Sequence, residues 1–210
     1  MKLDLHLHTI HSADSLNDLK GVIRKAGKLG ITPAITDHGN MRAHAELRKM
    51  GFGFIAGEEM KTKAGDLIGL CLTEEIPDRL DFLETLDKIK EQGAISYLPH
   101  MYDARRQGVA DAELARKVDV VEVLNGHCSD ECNARALGFA DENREPKGAG
   151  SDAHLLFEFG TCWVETRDLD LDGPKELLNA IKQGKICGKA KPTIKGVHGA
   201  VKTAKKLFGL

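Results

Sequence analysis

Asp4-Leu5-His6-Leu7-His8-Thr9 opens the chain, and three later stretches echo its chemistry: Thr36-Asp37-His38-Gly39, Leu98-Pro99-His100 and Ser151-Asp152-Ala153-His154. Each stands where an apolar run gives way to a polar loop. Strand alternation puts Asp4, His6 and His8 on one face, so two imidazoles project from one strand end. In a barrel of parallel strands such ends converge on one face. Histidines and carboxylates gathered there are the donor set of a metal site. The pattern predicts an α/β barrel with a metal centre, and a metal-dependent hydrolase as its function class.

Composition is consistent with this. A chain of 210 residues fits a single domain spanning 1–210. Its 41% hydrophobic and 30% charged residues are those of an ordinary globular protein, and a net charge of −2 gives no global field for nucleic acid or membrane. No apolar run approaches the roughly 18 residues of a membrane span. The N-terminus runs straight into Leu3-Asp4-Leu5-His6, so no signal peptide is expected. Five scattered cysteines point to a reduced, cytoplasmic protein. Cys128 and Cys132 beside His127 would need a second such cluster to make a zinc knuckle; they read as ordinary thiols.

Strand and helix signals alternate outward from the opening motif. Strands are predicted over 3–8, 32–36, 52–56, 66–72, 94–98, 118–124, 147–151 and 161–165. The first helix is predicted to be capped by Ser15, with a stripe through Leu16, Leu19, Ile23, Ala26 and Leu29 and a stop at Gly30. Further helices are predicted up to about 50, over 80–92 (Phe82, Leu83, Leu86 and Ile89 inward), over 129–143, and from Pro174 with Leu177, Leu178 and Ile181. This alternation predicts α/β with a mainly parallel sheet, closed or nearly closed. No glycine-rich dinucleotide turn or phosphate loop is present. From Lys185 onward the chain carries seven lysines and no acid. The spacing of Val201, Ala204, Leu207 and Phe208 predicts a basic terminal helix over about 196–208, packed on the barrel with a solvated lysine face.

The order of motifs resembles the PHP (polymerase and histidinol phosphatase) family over most of the length: Asp-x-His-x-His-Thr, Thr-Asp-His, Gly-x-Glu, Pro-His, Glu-x-x-Asn and Ser-Asp-x-His. The chain is most similar to that family's small stand-alone phosphoesterases. The resemblance implies a distorted (β/α)7 barrel, with two to three divalent ions (Zn, Mn or Fe) at the C-terminal strand ends. Carried over, His6, His8, Glu59 and Asp152 hold the first ion, and Glu59 bridges to a second with His100. Asp14, His38 and His154 hold the third. Strand alternation lets only one of Glu58 and Glu59 point inward, and the family's Gly-x-Glu selects Glu59. Cys71 stands where family members with a fuller second site carry a histidine, and reads either as a thiolate ligand or as a buried inert cysteine.

Other groups are expected to support this set. Asp4 and Asp37 are candidates to orient imidazoles. Arg105, Arg106 and Arg135 are candidates to grip a phosphate bidentately. Lys61 and Lys63 are weaker candidates, His127 is an accessory acid or a loop residue, and His44 and His198 are surface or packing residues. The implied activity is hydrolysis of a phosphate ester by metal-activated water, with His6, His8, Glu59, His100, Asp152 and His154 as its catalytic core. The substrate class is a nucleotide, a small phosphomonoester or an oligonucleotide end, with no membrane or obligate protein partner. Two rivals are weighed. An amidohydrolase also opens with His-x-His, but those barrels run longer, often carry a bridging lysine and end in a lone aspartate, unlike Asp152 followed by His154. A non-catalytic, metal-stabilised module predicts eroded ligands, and only position 71 looks altered.

Overall fold

The structure is a computed structural model and describes residues 1–168, 173–191 and 197–208. Residue 196 of the predicted terminal helix, and the side chains of His198 and Phe208, lie outside what it describes. The elements run β1 (Lys2–Leu7), α1 (Leu19–Leu29), β2 (Ile31–Ile35), α2 (Arg42–Lys49), β3 (Ile55–Lys61), β4 (Asp66–Leu70), α3 (Phe82–Glu91), β5 (Ile95–Leu98), α4 (Ala112–Ala115) and β6 (Val120–Asn125). They continue with α5 (Asp130–Asn143), β7 (Lys147–Gly150), β8 (Cys162–Glu165), α6 (Pro174–Gln183), β9 (Lys185–Gly188) and α7 (Val197–Phe208).

One sheet joins the strands in the order β7-β6-β5-β4-β3-β2-β1-β8-β9. The pairs β1/β2, β2/β3, β5/β6 and β6/β7 are parallel, and β4 is antiparallel to both neighbours. The end of β7 closes on β1: Leu7 and Ala153 form a parallel bridge, the Asp152 amide donates to the His6 carbonyl at 2.7 Å, and the His8 amide donates to Ala153 at 3.1 Å. The result is a distorted seven-stranded (β/α) barrel in which only β4 runs backwards. The antiparallel pair β8/β9 joins the sheet on the first residues of β1, through Lys2 with Glu165 and Leu3 with Val164.

The reversal of β4 has a local cause. Only four residues, Thr62 to Gly65, separate β3 from β4, and the Thr62 amide donates to the Gly65 carbonyl at 3.0 Å. A parallel connection needs a crossover of a dozen or more residues, so so short a link forces a hairpin.

Three apolar clusters fill the structure. Leu7, Val22, Ile35, Ala43, Leu47 and Phe159 seat α1 and α2 on β1 and β2. Met60, Leu67, Phe82, Leu86, Ile89, Val121, Val123 and Phe139 seat α3 and α5 on the other side of the barrel. Leu3, Leu5, Ile68, Tyr97, Val120, Val164 and Leu177 belong to the third.

Several element ends differ from the predicted ones. The cap of α1 is Asp18, whose carboxylate accepts from the Gly21 amide; Ser15 instead hydrogen-bonds the His8 and His154 carbonyls, and Leu16 is exposed. Leu83 also faces solvent. Ser129, Gly30 and Pro174 punctuate α5, α1 and α6 as predicted. β3 runs on to Lys61, past the predicted end at 56, which places Glu59 within the strand.

Candidate metal centre

Two histidines of β1 and its exit start the site. Alternation along Lys2–Leu7 turns Leu3, Leu5 and Leu7 into the apolar clusters and leaves Asp4, His6 and His8 on the other face, all fully buried. The Nε2 atoms of His6 and His8 stand 3.1 Å apart. His6 Nε2 lies 3.3 Å from Glu59 Oε2 and 3.5 Å from Asp152 Oδ1; His8 Nε2 lies 3.2 and 3.3 Å from the same two oxygens. Four donors placed about 2.1 Å from one centre in a tetrahedron are about 3.4 Å apart. Five of the six edges among these four donors match that figure, and the donor set fits a divalent cation.

Two further groups flank it. His100 Nε2 lies 2.9 Å from Glu59 Oε1, and Glu59, Asp66 and His100 converge within 4.8 Å. His8, His38 and His154 converge likewise, with Asp14 3.5 Å from His154 Nε2 and 3.6 Å from His38 Nε2. Glu59 thus sits at the junction, its Oε2 also 3.1 Å from His38 Nδ1. Asp66 Oδ1 and His100 Nδ1 are buried polar atoms with no hydrogen-bond partner. Unpaired buried atoms of this kind are costly unless a ligand satisfies them.

Charge balance points the same way. Burial opposes a proton on His6 and His8, yet Asp152 and Glu59 overcome it. His6 is held well above its usual value and His8 is pushed up to about 9. Burial drops His38 to about 4 and also lowers His154, beside His8. Burial, with Glu59 nearby, lifts Asp66 to about 7. The cluster carries carboxylates that demand positive charge and outer imidazoles that stay neutral and free to ligate.

The supporting groups fix which nitrogen faces the centre. His6 Nδ1 lies 3.3 Å from Glu122 Oε1, and Glu122 also accepts from Tyr97 Oη, the His100 amide and Asn125 Nδ2. His154 Nδ1 donates to the Asp152 carbonyl at 2.8 Å. His8 Nδ1 lies 3.2 Å from Ser12 Oγ, which in turn donates to Asp37 Oδ1 at 2.7 Å. Each of these three imidazoles therefore turns Nε2 toward the centre. His100 and Asp152 adopt left-handed backbone, at φ 34° and 53°. Such strain costs of order 1–3 kcal/mol and collects at functional sites.

The PHP domain family matches residues 4–109, and the PHP-associated family matches residues 130–186. The chain belongs to the PHP family. The PHP chain is 43% identical over 196 residues to an uncharacterised protein of Methanocaldococcus jannaschii, covering 87% of this chain and 79% of that one. Solved structures share its fold at low identity. A lesion-specific endonuclease from Pyrococcus furiosus aligns with a TM-score of 0.62 at 18% identity, over 88% of this chain and 57% of that one. A presumed metal-dependent phosphoesterase from Bifidobacterium adolescentis aligns at 0.57 and 14%, over 72% and 87%. A Chromobacterium violaceum amidohydrolase, with bound sulfate and no metal, aligns at 0.61 and 15%, over 90% and 98%. Overall shape alone therefore does not separate phosphoester from C–N hydrolysis.

The PHP barrel gathers every sequence-predicted ligand except one. The ligand role expected of Cys71 is corrected by topology. Because β4 runs backwards, its last residues lie beside the start of β3, where the Cys71 amide donates to Ala56. Burial pushes that thiol up to about 11. Asp66, at the first residue of β4, takes the place at the site instead; the hairpin link was the signal in the sequence. Glu122 was visible as the acid of the Glu-x-x-Asn motif within an apolar strand, with no role assigned to it.

The three arginines separate. Arg106 pairs with Asp152 Oδ2 at 2.8 Å, and its side chain stays 23% exposed. Arg105 is clamped bidentately by Asp103 at 3.0 and 2.9 Å, and Arg135 lies over the Tyr102 ring at 4.2 Å. Asp4 does not orient an imidazole: it accepts from the Ser151, Gly160 and His6 amides and braces the barrel seam. Asp37 acts on His8 through Ser12. His127 is buried with Nε2 3.3 Å from Glu158. His44 packs inside, against Phe54 and the Ile35 carbonyl. Among the described residues no ion pair involves Lys61 or Lys63, and no helix is long and apolar enough to cross a membrane.

Proposed function

We propose that this chain is a single-domain, metal-dependent phosphoesterase that hydrolyses a nucleotide, a small phosphomonoester or an oligonucleotide end. The observation that carries the reading is the tetrahedral edge set among His6, His8, Glu59 and Asp152, flanked by two further donor groups that share Glu59 and His8. His6, His8, Glu59 and Asp152 would hold a first divalent ion, Glu59, Asp66 and His100 a second, and Asp14, His38 and His154 a third. Zinc, manganese and iron all suit an imidazole and carboxylate set. Such ions supply charge for the phosphate oxygens and acidify water for in-line attack.

The chain's own residues do the rest. Glu122 and the Asp37–Ser12 pair hold His6 and His8 in the ligating tautomer. Arg106 touches Asp152 and solvent together, which suits a guanidinium that steadies Asp152 and meets an incoming phosphate. His127, held by Glu158 beside His154, suits proton donation to a leaving oxygen. Membership of the PHP family favours phosphoester over C–N hydrolysis.

The test is product release with Mn²⁺ or Zn²⁺, before and after chelation: inorganic phosphate from nucleotides and sugar phosphates, and nucleotides from short oligonucleotides. The expected result is turnover that chelation abolishes and added metal restores. Turnover unchanged in a chain shown by elemental analysis to be metal-free, or amide hydrolysis alone, overturns the reading.

A further inference from the structure

α7 returns from the far end of the chain to the loop 10–15, beside the metal centre. Five described lysines of the basic terminal stretch, Lys185, Lys189, Lys191, Lys202 and Lys206, are exposed. Lys205 is only 5% exposed. Its Nζ donates to three main-chain carbonyls: Ile10 at 2.5 Å, Ser12 at 2.8 Å and Ser15 at 3.1 Å. An ammonium has three N–H donors, and here each has one acceptor. No carboxylate pairs with it among the described residues, so the contact is not an ordinary surface ion pair.

The loop it grips carries two parts of the site. Ser12 links His8 to Asp37, and its Oγ accepts from the His38 amide at 3.1 Å. Asp14 faces His38 and His154. The C-terminal end of this loop is tied to the barrel independently, by Ser15 Oγ and by Asn17 Nδ2 on the His8 carbonyl. Two of the three carbonyls on Lys205, those of Ser12 and Ser15, bracket Asp14 in sequence.

We propose that Lys205 is a positioning residue: through the loop 10–15 it holds Asp14 toward the cation shared with His38 and His154. The proposal rests on the metal-centre reading and adds to it a terminal helix that completes the site. A helix anchored elsewhere would leave that cation's affinity untouched; one acting through Asp14 would not.

Mn²⁺ titration of the full chain, followed by calorimetry, tests this. Lys205→Met should weaken one class of site at least tenfold and leave the others unchanged. Asp14→Ala should weaken the same class, and the double variant should be no weaker than Asp14→Ala, because the two act as one unit. Amide exchange at 11–15 should quicken in Lys205→Met. Lys205→Gln, which keeps polarity but not reach, serves if the methionine variant folds poorly, with the same direction expected. A folded variant that titrates as the parent, or effects that add fully to those of Asp14→Ala, overturn the proposal. Because titration needs no substrate, a chain that binds Mn²⁺ normally yet releases neither phosphate nor nucleotides from the substrate panel would remove the phosphoesterase reading and leave Lys205 standing.

Discussion

Neighbouring residues on one strand have opposite fates in this protein. Glu59 touches three imidazoles of the cluster at 3.1–3.3 Å through Oε2 and His100 at 2.9 Å through Oε1. Glu58 points to the other face, where it accepts from the Ile76 amide. Glu59→Gln is therefore expected to cut phosphoester turnover by at least a hundredfold and lower metal content, while Glu58→Gln stays within a few-fold of the parent. Steady-state kinetics with elemental analysis of both variants checks this; the reverse ranking would contradict the strand register. The same reasoning separates Asp66 from Cys71. Asp66→Asn should reduce occupancy of the site with His100, and Cys71→Ser should leave it unchanged, as read by metal content after desalting. Alternation along β3 was legible in the sequence. The place of Asp66 needed the direction of β4, which side-chain periodicity does not encode.

Elements bring these residues together only if the barrel closes. β7 approaches β1 so closely that a Cβ on Gly150 would lie 2.3 Å from His6 Cβ and 2.8 Å from the His6 amide nitrogen. Gly150→Ala should spread β7 from β1, pulling Asp152 away from His6 and His8. It should lower both thermal stability and metal affinity, where a substitution at an open glycine such as Gly138 should change neither by much. On α2, His44 is buried and donates to the Ile35 carbonyl at 3.2 Å. Burial lowers its pKa below the usual 6.5, so the fold favours neutral imidazole. As pH falls through that value, the unfolded chain takes up the proton more readily and stability drops. Denaturant melts in chelator at pH 7.5 and 5 should show a larger loss for the parent than for His44→Gln. An equal loss would mean that other groups carry the acid sensitivity. The caps at Ser129 and Gly30 were legible because capping is local; Asp18 displaced Ser15 because Ser15 is committed to the His8 and His154 carbonyls.

At the scale of the whole molecule, cations and fold should stabilise each other. The cluster holds buried carboxylates and unpaired polar atoms that the unfolded chain leaves hydrated. A ligand that binds only the folded state stabilises it by about 2.7 kcal/mol at a hundred times its dissociation constant. Chelation should therefore lower the melting temperature, and Mn²⁺ or Zn²⁺ should restore it in proportion to the logarithm of its concentration. Differential scanning fluorimetry reads this directly, and a melting temperature indifferent to metal would sink the linkage.

The sequence by itself determined the candidate donors and the strand ends that carry them. His6, His8, His38, His100, Asp152 and His154 each follow or end an apolar run, and that signal depends only on neighbours along the chain. It also determined the α/β class and most helix ends, because amphipathic periodicity and capping act within a few residues. The tertiary structure alone decided which groups complete the site. Glu122 meets His6 across 116 positions and Lys205 meets Ser12 across 193, and no local pattern marks either pairing. Cys71 and Asp66 exchange places for a different reason: the four-residue link Thr62 to Gly65 turns β4 back along β3, so its first residue and not its last faces the cluster.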